Sequence, residues 1–594
     1  MVEIKENIEL AGMTTFGIPA KARYFAEYSS VKELQEILRT PQYQQNEMLH
    51  IGGGSNLLFI RDFAGIILKS AIKGIQVYKK NDDTVYLIAG AGEEWDDVVN
   101  CAIENNLSGI ENLAGIPGQA GASAIQNIGA YGVEAKDVIF KVECYDRLSH
   151  TVRTFSNEEC RYGYRDSIFK HELKGRYIVL RVCYRLTPGS LAQHLEYGPL
   201  KQLADTLGHQ PTIAEVRDEV IRVRNSKLPN PKELGSAGSF FKNPVILRKY
   251  YEDYILPTAP DVPHYDVDEQ YVKIPAGWLI EHAGLKGVHI GGAKVYDKQC
   301  LVIVNTGNAT GRSVKALANH IIHTVKEKYG VMLYPEVNFI DTAIHIEVLG
   351  SGTSKGVPEP ACLCPVCRSK DTLDKRLRAS VFVETHGLKL LIDASPDFRE
   401  QALRSQILDI EATLVTHQHY DHVGGLDDLR AYGVDKDIPI YALPAVKADL
   451  ERRLDYCFRP HPYPGVPKID IHEVGDGPFY IQGLKIIPIH VMHAKLPIIG
   501  FRIGDFAYIT DAKTVADSEI EKLEGVKVLI VNALRYKPHF SHFNIEEALA
   551  FIDKVKPEQA YLTHICHEMG KHADVEPTLP ENVRLAYDGL KLLV

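Results

Sequence analysis

Four metal-ligand side chains fall within six residues of this 594-residue chain: His417, His419, Asp421 and His422 in THQHYDH. They follow the apolar run ATLV, which reads as a buried strand. A strand end can point His417 and His419 at one metal ion, and the turn beyond it can offer Asp421 and His422 to a second. Imidazole nitrogens and a carboxylate together suit zinc or a similar divalent cation. One buried histidine is ordinarily structural; four ligand groups in this spacing are not.

The histidines are unevenly placed, ten of the 24 before residue 341 and fourteen after it, so metal chemistry is expected in the second part only. Of the ten cysteines, Cys362, Cys364 and Cys367 form a C-x-C-x-x-C cluster. The rest are scattered, which is not the pattern of a disulfide framework. A net charge of −10 argues against a general nucleic-acid binder. The content, 45% apolar and 24% charged, excludes wholesale disorder. No apolar run approaches the roughly 18 residues of a membrane span. The opening MVEIKENIELAG has no signal-peptide core, so a cytoplasmic protein without a membrane partner is expected.

Length alone argues for several domains. Residues 1–340 mix strand-like runs (KARYFAEY, TVYLIAGAG, RYIVLRVCYRL) with helix-like ones (VKELQEILRT, EWDDVVNCAIEN). Two glycine-rich loops stand out, IGGGSNLLF at 51–59 and ENLAGIPGQAGASAIQNIGAYG at 111–132. Neither is a G-x-G-x-x-G fingerprint, yet both could bring backbone amides close to a pyrophosphate. The pattern restarts near Asp341, where Ile344, Ile346 and Val348 alternate with His345 and Glu347 as in a half-buried strand.

In order, TTFGIPA, IGGGSNLLF, NLAGIPGQAGASAIQNIGAYG, YGYRDSIFK, GSAGSFFKNP, IPAGWLIEHAGLKG and YPEVNFI closely resemble the UDP-N-acetylenolpyruvoylglucosamine reductase (MurB) family over about 1–340. The resemblance implies an FAD enzyme of peptidoglycan precursor synthesis with NADPH as co-substrate and a UDP-sugar as substrate. It implies an FAD-binding region at 1–228, PCMH-type over about 17–188, and a substrate-binding C-terminal region at 229–340. By the same resemblance Ser239 is the proton donor, and Arg165 and Glu336 steady the substrate carboxylate and the developing enol. Gly53, Gly54, Ser55, Asn56, Gly118, Gly121, Ser123 and Asn127 would contact FAD, and Tyr197, Lys227 and Asn243 the substrate. A vanillyl-alcohol-type flavin oxidase is the alternative, but no matching His or Cys flavin-attachment residue is present.

The H-x-H-x-D-H segment resembles the metallo-β-lactamase fold over 343–594. That resemblance implies His417, His419 and His493 on one metal, Asp421, His422 and His564 on the other, and Asp511 shared. His493 fits better than His490, which sits inside the alternating IIPIHV run. LGSGTSKGVP, the cysteine cluster and HFSHFNIEEA resemble the phosphoribosyl cyclic phosphodiesterase (PhnP) branch. This implies a structural zinc on Cys362, Cys364, Cys367 and His567, the alternative being a redox-sensitive thiol cluster. It also implies a substrate-phosphate histidine or general acid at His542, with His539 its nearest competitor. His542 precedes a capped helix marked by Asn544 and Glu547, with Ile545, Leu549 and Ile552 as the expected apolar face. His386, His461, His472 and His572 read as surface or core residues.

The expected fold is thus an α+β FAD-binding reductase, PCMH and vanillyl-alcohol-oxidase-like, with a MurB C-terminal domain, followed by an αββα metallo-β-lactamase fold. The second part is expected to use two catalytic divalent metals, zinc or manganese, on a small phosphodiester. A thioester hydrolase, a tRNA-processing-like nuclease and a non-catalytic module stand as alternatives.

Overall fold

The computed structural model describes residues 2–81, 84–192, 194–196, 198–433, 437–459 and 465–594; Tyr197 and His461 lie outside them. The chain divides into two compact units, residues 1–341 and 342–594. No helix among the described residues is long and apolar enough to cross a membrane.

The first unit is built on three main sheets. One orders Ile4–Glu9, Lys21–Tyr28, Phe63–Ser70 and Met48–Ile51, with parallel pairing among the last three. A second, antiparallel, orders Thr151–Ser156, Ile139–Asp146, Tyr177–Pro188, Thr84–Gly90 and Ile75–Asn81. The third runs Ser236–Ser239, Val302–Asn305, Ala293–Val295, His289–Ile290 and packs with the helix Gly311–Tyr329. That helix buries Val314, Leu317, Ala318, Ile321 and Val325, spaced to form one face. The strand Asn338–Ile340 then returns to pair in parallel with Leu57–Phe59, beside the first glycine loop.

The second unit is a sandwich of a seven-stranded and an eight-stranded sheet. Ile346, Val381, Leu390 and Leu414 from one sheet share a core with Ile486, Phe501, Tyr508 and Ile530 from the other. Leu391, next to Leu390, packs instead beneath Phe398, Val446 and Leu450 of the covering helices. Both faces of Leu390–Ile392 are therefore buried, which is why the three residues after half-buried Lys389 are all apolar. The helix Ile545–Val555 covers the outer face of the other sheet, giving αββα layers. Its capping box is complete: Asn544 Oδ1 accepts from the Glu547 amide, and a Glu547 carboxylate oxygen accepts from the Asn544 amide, each at 2.9 Å. Ala548, Phe551 and Val555 join Ile545 and Ile552 in its buried face, whereas Leu549 is only half-buried at the margin.

Candidate functional sites

The site of the second unit forms where parallel strands end. Leu388–Ile392 and Ala412–Leu414 are parallel neighbours in one sheet, as are Phe506–Ile509, Val528–Asn532 and Gln559–Thr563 in the other. Beyond these ends Asp393, Asp511 and His564 take φ of 60°, 57° and 57°. Such left-handed backbone is strained for a non-glycine residue and is held by the surrounding fold.

Asp511 is the common member of three ligand groups, each with its donor atoms within 4.8 Å of one another. These are Asp421, His422, Asp511 and His564; His417, His419 and Asp511; and His493, Asp511 and His542. Within the first group His422 Nε2 lies 3.2 Å from Asp421 and His564 Nε2 lies 3.2 Å from Asp511. His493 Nδ1 donates to the carbonyl oxygens of Asp511 and Ser541, both at 2.9 Å, which leaves its Nε2 as the free donor atom. Nε2 of His417, His422 and His564 and Nδ1 of His542 are buried with no hydrogen-bond partner among the described residues. Buried polar atoms of that kind demand an occupant, and this donor set fits a pair of divalent cations.

The electrostatics agree. Burial pushes His417 well down and takes His542 to about 3, so both imidazoles are neutral. Desolvation would raise Asp511, but His564 and His422 outweigh it and hold the carboxylate ionised. Desolvation would likewise lower His422, yet Asp421, Asp511 and Asp393 raise it well above its usual value.

Two further groups lie close. His542 Nδ1 is 3.8 Å from Asp511, and its ring stacks 4.8 Å from His564. His539 sits 5.0 Å ring to ring from His542. The second cluster brings Cys362, Cys364 and Cys367 to 3.2, 3.7 and 3.4 Å from His567 Nδ1. Hydrogen bonds from the Cys367 amide and neighbouring groups lower the Cys364 thiol to about 7, while burial raises Cys367 to about 11. Three sulfurs and one nitrogen at these separations fit a closed tetrahedral site. Glu359 reaches the far side of His567, its carboxylate 3.6 Å from Nε2.

In the first unit the two glycine loops meet. A Cβ on Gly53 would lie 3.0 Å from Gly118 Cα; Gly54 has φ +65°, and a Cβ there would come within 1.9 Å of the Met13 carbonyl oxygen. Only glycine fits, so the loops offer bare backbone, as a dinucleotide pyrophosphate requires. Ser55 Oγ donates to the Pro117 carbonyl at 2.9 Å, and Gly121 packs against Ala91. Ser123 and Asn127 are buried and internally engaged. Ser123 bonds the Tyr184 hydroxyl at 2.8 Å, while Asn127 donates to Gly163 and Glu134 and accepts from Lys136. Asn56 Nδ2 donates to the Glu336 carbonyl at 3.0 Å, tying this region to the YPEV segment.

Arg165 and Glu336 form an ion pair, Nε to Oε1, at 3.2 Å. Arg165 has φ 56° and also donates to the carbonyls of Gly129 and Asn127. Ser239 is exposed at the end of a bulged strand, after Gly238 with φ +69°. The next residues run antiparallel to the segment bearing Glu336: the Glu336 amide donates to the Phe240 carbonyl at 2.8 Å, and Phe241 bridges Pro335. Asn243 Oδ1 accepts from the Ala276 amide at 2.9 Å. Lys227 ends the helix Ile213–Lys227, exposed, with no ion-pair partner among the described residues.

The sequence reading missed Asp393, Gln126, Lys170 and Glu359. Asp393 was visible only as an acid closing LKLLID, and Gln126 and Lys170 only as members of larger motifs.

Residues 22–154 match the FAD binding domain model, 230–340 the UDP-N-acetylenolpyruvoylglucosamine reductase C-terminal domain, and 389–565 the Beta-lactamase superfamily domain. The UDP-N-acetylenolpyruvoylglucosamine reductase of Neisseria gonorrhoeae is 44% identical over 348 residues, 58% of this chain and 100% of its own. That of Photobacterium profundum is 46% identical over 341 residues, 57% of this chain and 96% of its own. Among solved structures, a diphosphatase from the PhnP family is 39% identical over 42% of this chain and 97% of its own, with a TM-score of 0.40. The reductase of Thermus caldophilus is 25% identical over 57% and 98%, with a TM-score of 0.40. An FAD-binding domain and a metallo-β-lactamase fold imply FAD and divalent metals. Over its first unit the chain belongs to the UDP-N-acetylenolpyruvoylglucosamine reductase family, and it continues into a hydrolase domain of the metallo-β-lactamase fold.

Proposed function

We propose that the first unit reduces UDP-N-acetylglucosamine enolpyruvate to UDP-N-acetylmuramate with NADPH, for peptidoglycan precursor synthesis. The observation that carries this reading is the Arg165–Glu336 pair, with Glu336 on the segment that runs antiparallel to the residues just after Ser239. The chemistry FAD supplies when bound, on the loops at Gly53–Asn56 and Gly118–Gly121, is hydride transfer from NADPH to the enolpyruvyl double bond. Hydride at the methylene carbon leaves charge that spreads onto the substrate carboxylate. The Arg165 guanidinium binds that carboxylate as charge develops, and Glu336 holds the guanidinium in place. Ser239 Oγ gives its proton to the carbon that bore the charge. Tyr197, Lys227 and Asn243 bind the UDP-sugar; with Oδ1 engaged by Ala276, Asn243 offers its amide hydrogens. Anaerobic mixing with NADPH and then with the enolpyruvyl substrate tests this. The lactyl ether should form as the flavin reoxidises, and a flavin that stays reduced refutes it.

We infer that the second unit is a two-metal phosphodiesterase for a small molecule. The carrying observation is Asp511 at the junction of three ligand groups. Zinc or manganese ions, when bound, supply Lewis acidity and acidify water. His417, His419 and His493 would hold one ion and Asp421, His422 and His564 the other, with Asp511 shared. His542, held neutral by burial, binds the phosphoryl group. Cys362, Cys364, Cys367 and His567 would hold a structural zinc. Metal-loaded protein should hydrolyse bis-p-nitrophenyl phosphate, and a His417→Ala variant should not. Equal turnover by both would refute the assignment.

A further inference from the structure

Behind the Arg165–Glu336 pair, four residues close into a ring of three hydrogen bonds and that ion pair. Lys170 Nζ donates to Gln126 Oε1 at 2.8 Å and to the Arg165 carbonyl oxygen at 2.9 Å. Gln126 Nε2 donates to Glu336 Oε1 at 3.2 Å, the same oxygen that faces Arg165 Nε at 3.2 Å. The turn Ile168–Lys170 that carries the lysine is pinned nearby, because Ser167 Oγ donates to the Ile125 carbonyl at 2.6 Å.

The ring runs from a cation that only donates to a carboxylate that only accepts, and it is the charge on the cation that makes its two bonds strong. An ammonium donates and never accepts, so Gln126 must turn its oxygen to Lys170 and its NH₂ to Glu336. Glu336 Oε1 thereby takes two donors. The second Lys170 bond restrains the carbonyl of Arg165, whose φ of 56° is costly for a side chain of this size. A neutral amine would still donate, but its bonds to Gln126 and to the Arg165 carbonyl would lose their charge assistance and slacken.

We propose that Lys170, as an ammonium, is a positioning residue for the reduction: it orients Gln126 and the Arg165 backbone and so holds Arg165 and Glu336 where the enol charge develops. This rests on the roles given to Arg165 and Glu336 above. The surroundings make the charge of Lys170 sensitive to pH. Burial first and then Lys242 push it down, to about 8, with Lys174 adding to the effect and Asp166 and Glu336 opposing it. Arg165 is the other cation on the ring, and Asp166 is shared with His171 at 2.7 Å. Since the folded value lies below that of a free lysine, the proton leaves Lys170 within an accessible alkaline range.

The test is rapid-mixing kinetics on the full-length FAD-loaded enzyme, following flavin reduction by NADPH and reoxidation by the enolpyruvyl substrate separately. Lys170→Met should slow reoxidation roughly 10- to 100-fold, the scale of one charge-assisted hydrogen bond, and leave flavin content and reduction by NADPH unchanged. In the native enzyme reoxidation should fall as pH rises through about 8. Lys170→Arg should keep most of the rate and lose that alkaline limb. Reoxidation within twofold of native in Lys170→Met, equal slowing of both half-reactions, or an alkaline limb that persists in Lys170→Arg would each overturn the proposal. The native and arginine profiles decide the matter even if the methionine variant fails to fold. Glu336→Gln separates the two ideas. If it leaves reoxidation untouched, the roles assigned to the pair fall; if it slows reoxidation and Lys170→Met does not, only the positioning role falls.

Discussion

Asp393 Oδ2 lies 2.7 Å from His422 Nδ1, and both side chains are fully buried. Asp393 also accepts from the Thr416 amide at 2.8 Å and from the Thr416 hydroxyl. One carboxylate thus fixes the tautomer of a histidine and the backbone that leads into His417. The imidazole Nδ1 is the donor, and Nε2 is left to face the centre.

Asp393→Asn should therefore weaken metal binding without removing a ligand, by roughly 10- to 100-fold, the usual cost of losing such a partner. Titration of the metal-free protein with zinc, read by competition with a chelating dye, measures it. Affinity within twofold of native would remove Asp393 from the account.

Metal binding should release protons. In the metal-free protein three carboxylates outweigh desolvation and hold His422 charged. A metal ion has to displace that proton, so affinity rises with pH. The sign for stability runs the other way. A raised folded value stabilises the metal-free fold below the unfolded histidine's value, and that contribution is lost as pH climbs through the folded one. Calorimetric titrations in buffers of different ionisation enthalpy count the protons; no buffer dependence would refute the assignment.

Ser239→Ala should leave flavin reduction by NADPH at the native rate and slow reoxidation by the substrate by orders of magnitude, at least about a hundredfold. Separate half-reaction traces check this. Equal impairment of both halves would make Ser239 a structural residue.

Cys367→Ser should cost the protein one bound zinc per chain while the catalytic pair still loads. Metal analysis after dialysis, together with reductase turnover as a folding control, reads the outcome. Unchanged zinc content would favour a redox-sensitive thiol cluster. Because closed thiolate sites contribute folding energy, the variant should also melt at lower temperature in its second unit.

Much of the second unit was legible in the chain. The alternation at Ile344, Ile346 and Val348 becomes the strand His345–Gly350, entered from Ile344, with the three residues 5%, 2% and 0% exposed. The four ligand groups of THQHYDH meet because a strand end and a single turn of helix, Tyr420–Val423, are local structures that spacing alone specifies. The capped helix after His542 was equally local. Its buried face was broader than the spacing suggested, since a helix pressed on a sheet buries a wider stripe than three residues mark.

What lay beyond the sequence is which side chains become partners. Nothing in LKLLID says that Asp393 will sit under His422, 29 residues on, rather than at the surface. Nothing in SIFK says that Lys170 will reach Gln126, 44 residues back. Ser123 and Asn127 read as part of a glycine-rich loop, but Ser123 lies in the helix Ala120–Gln126 with Asn127 as its C-cap, and their side chains go to Tyr184, Gly163 and Lys136. Periodicity and spacing report burial and local geometry, because each residue's own backbone sets them. Hydrogen-bond partners and shared ligands depend on which strands lie side by side, and that is decided only when the sheets assemble.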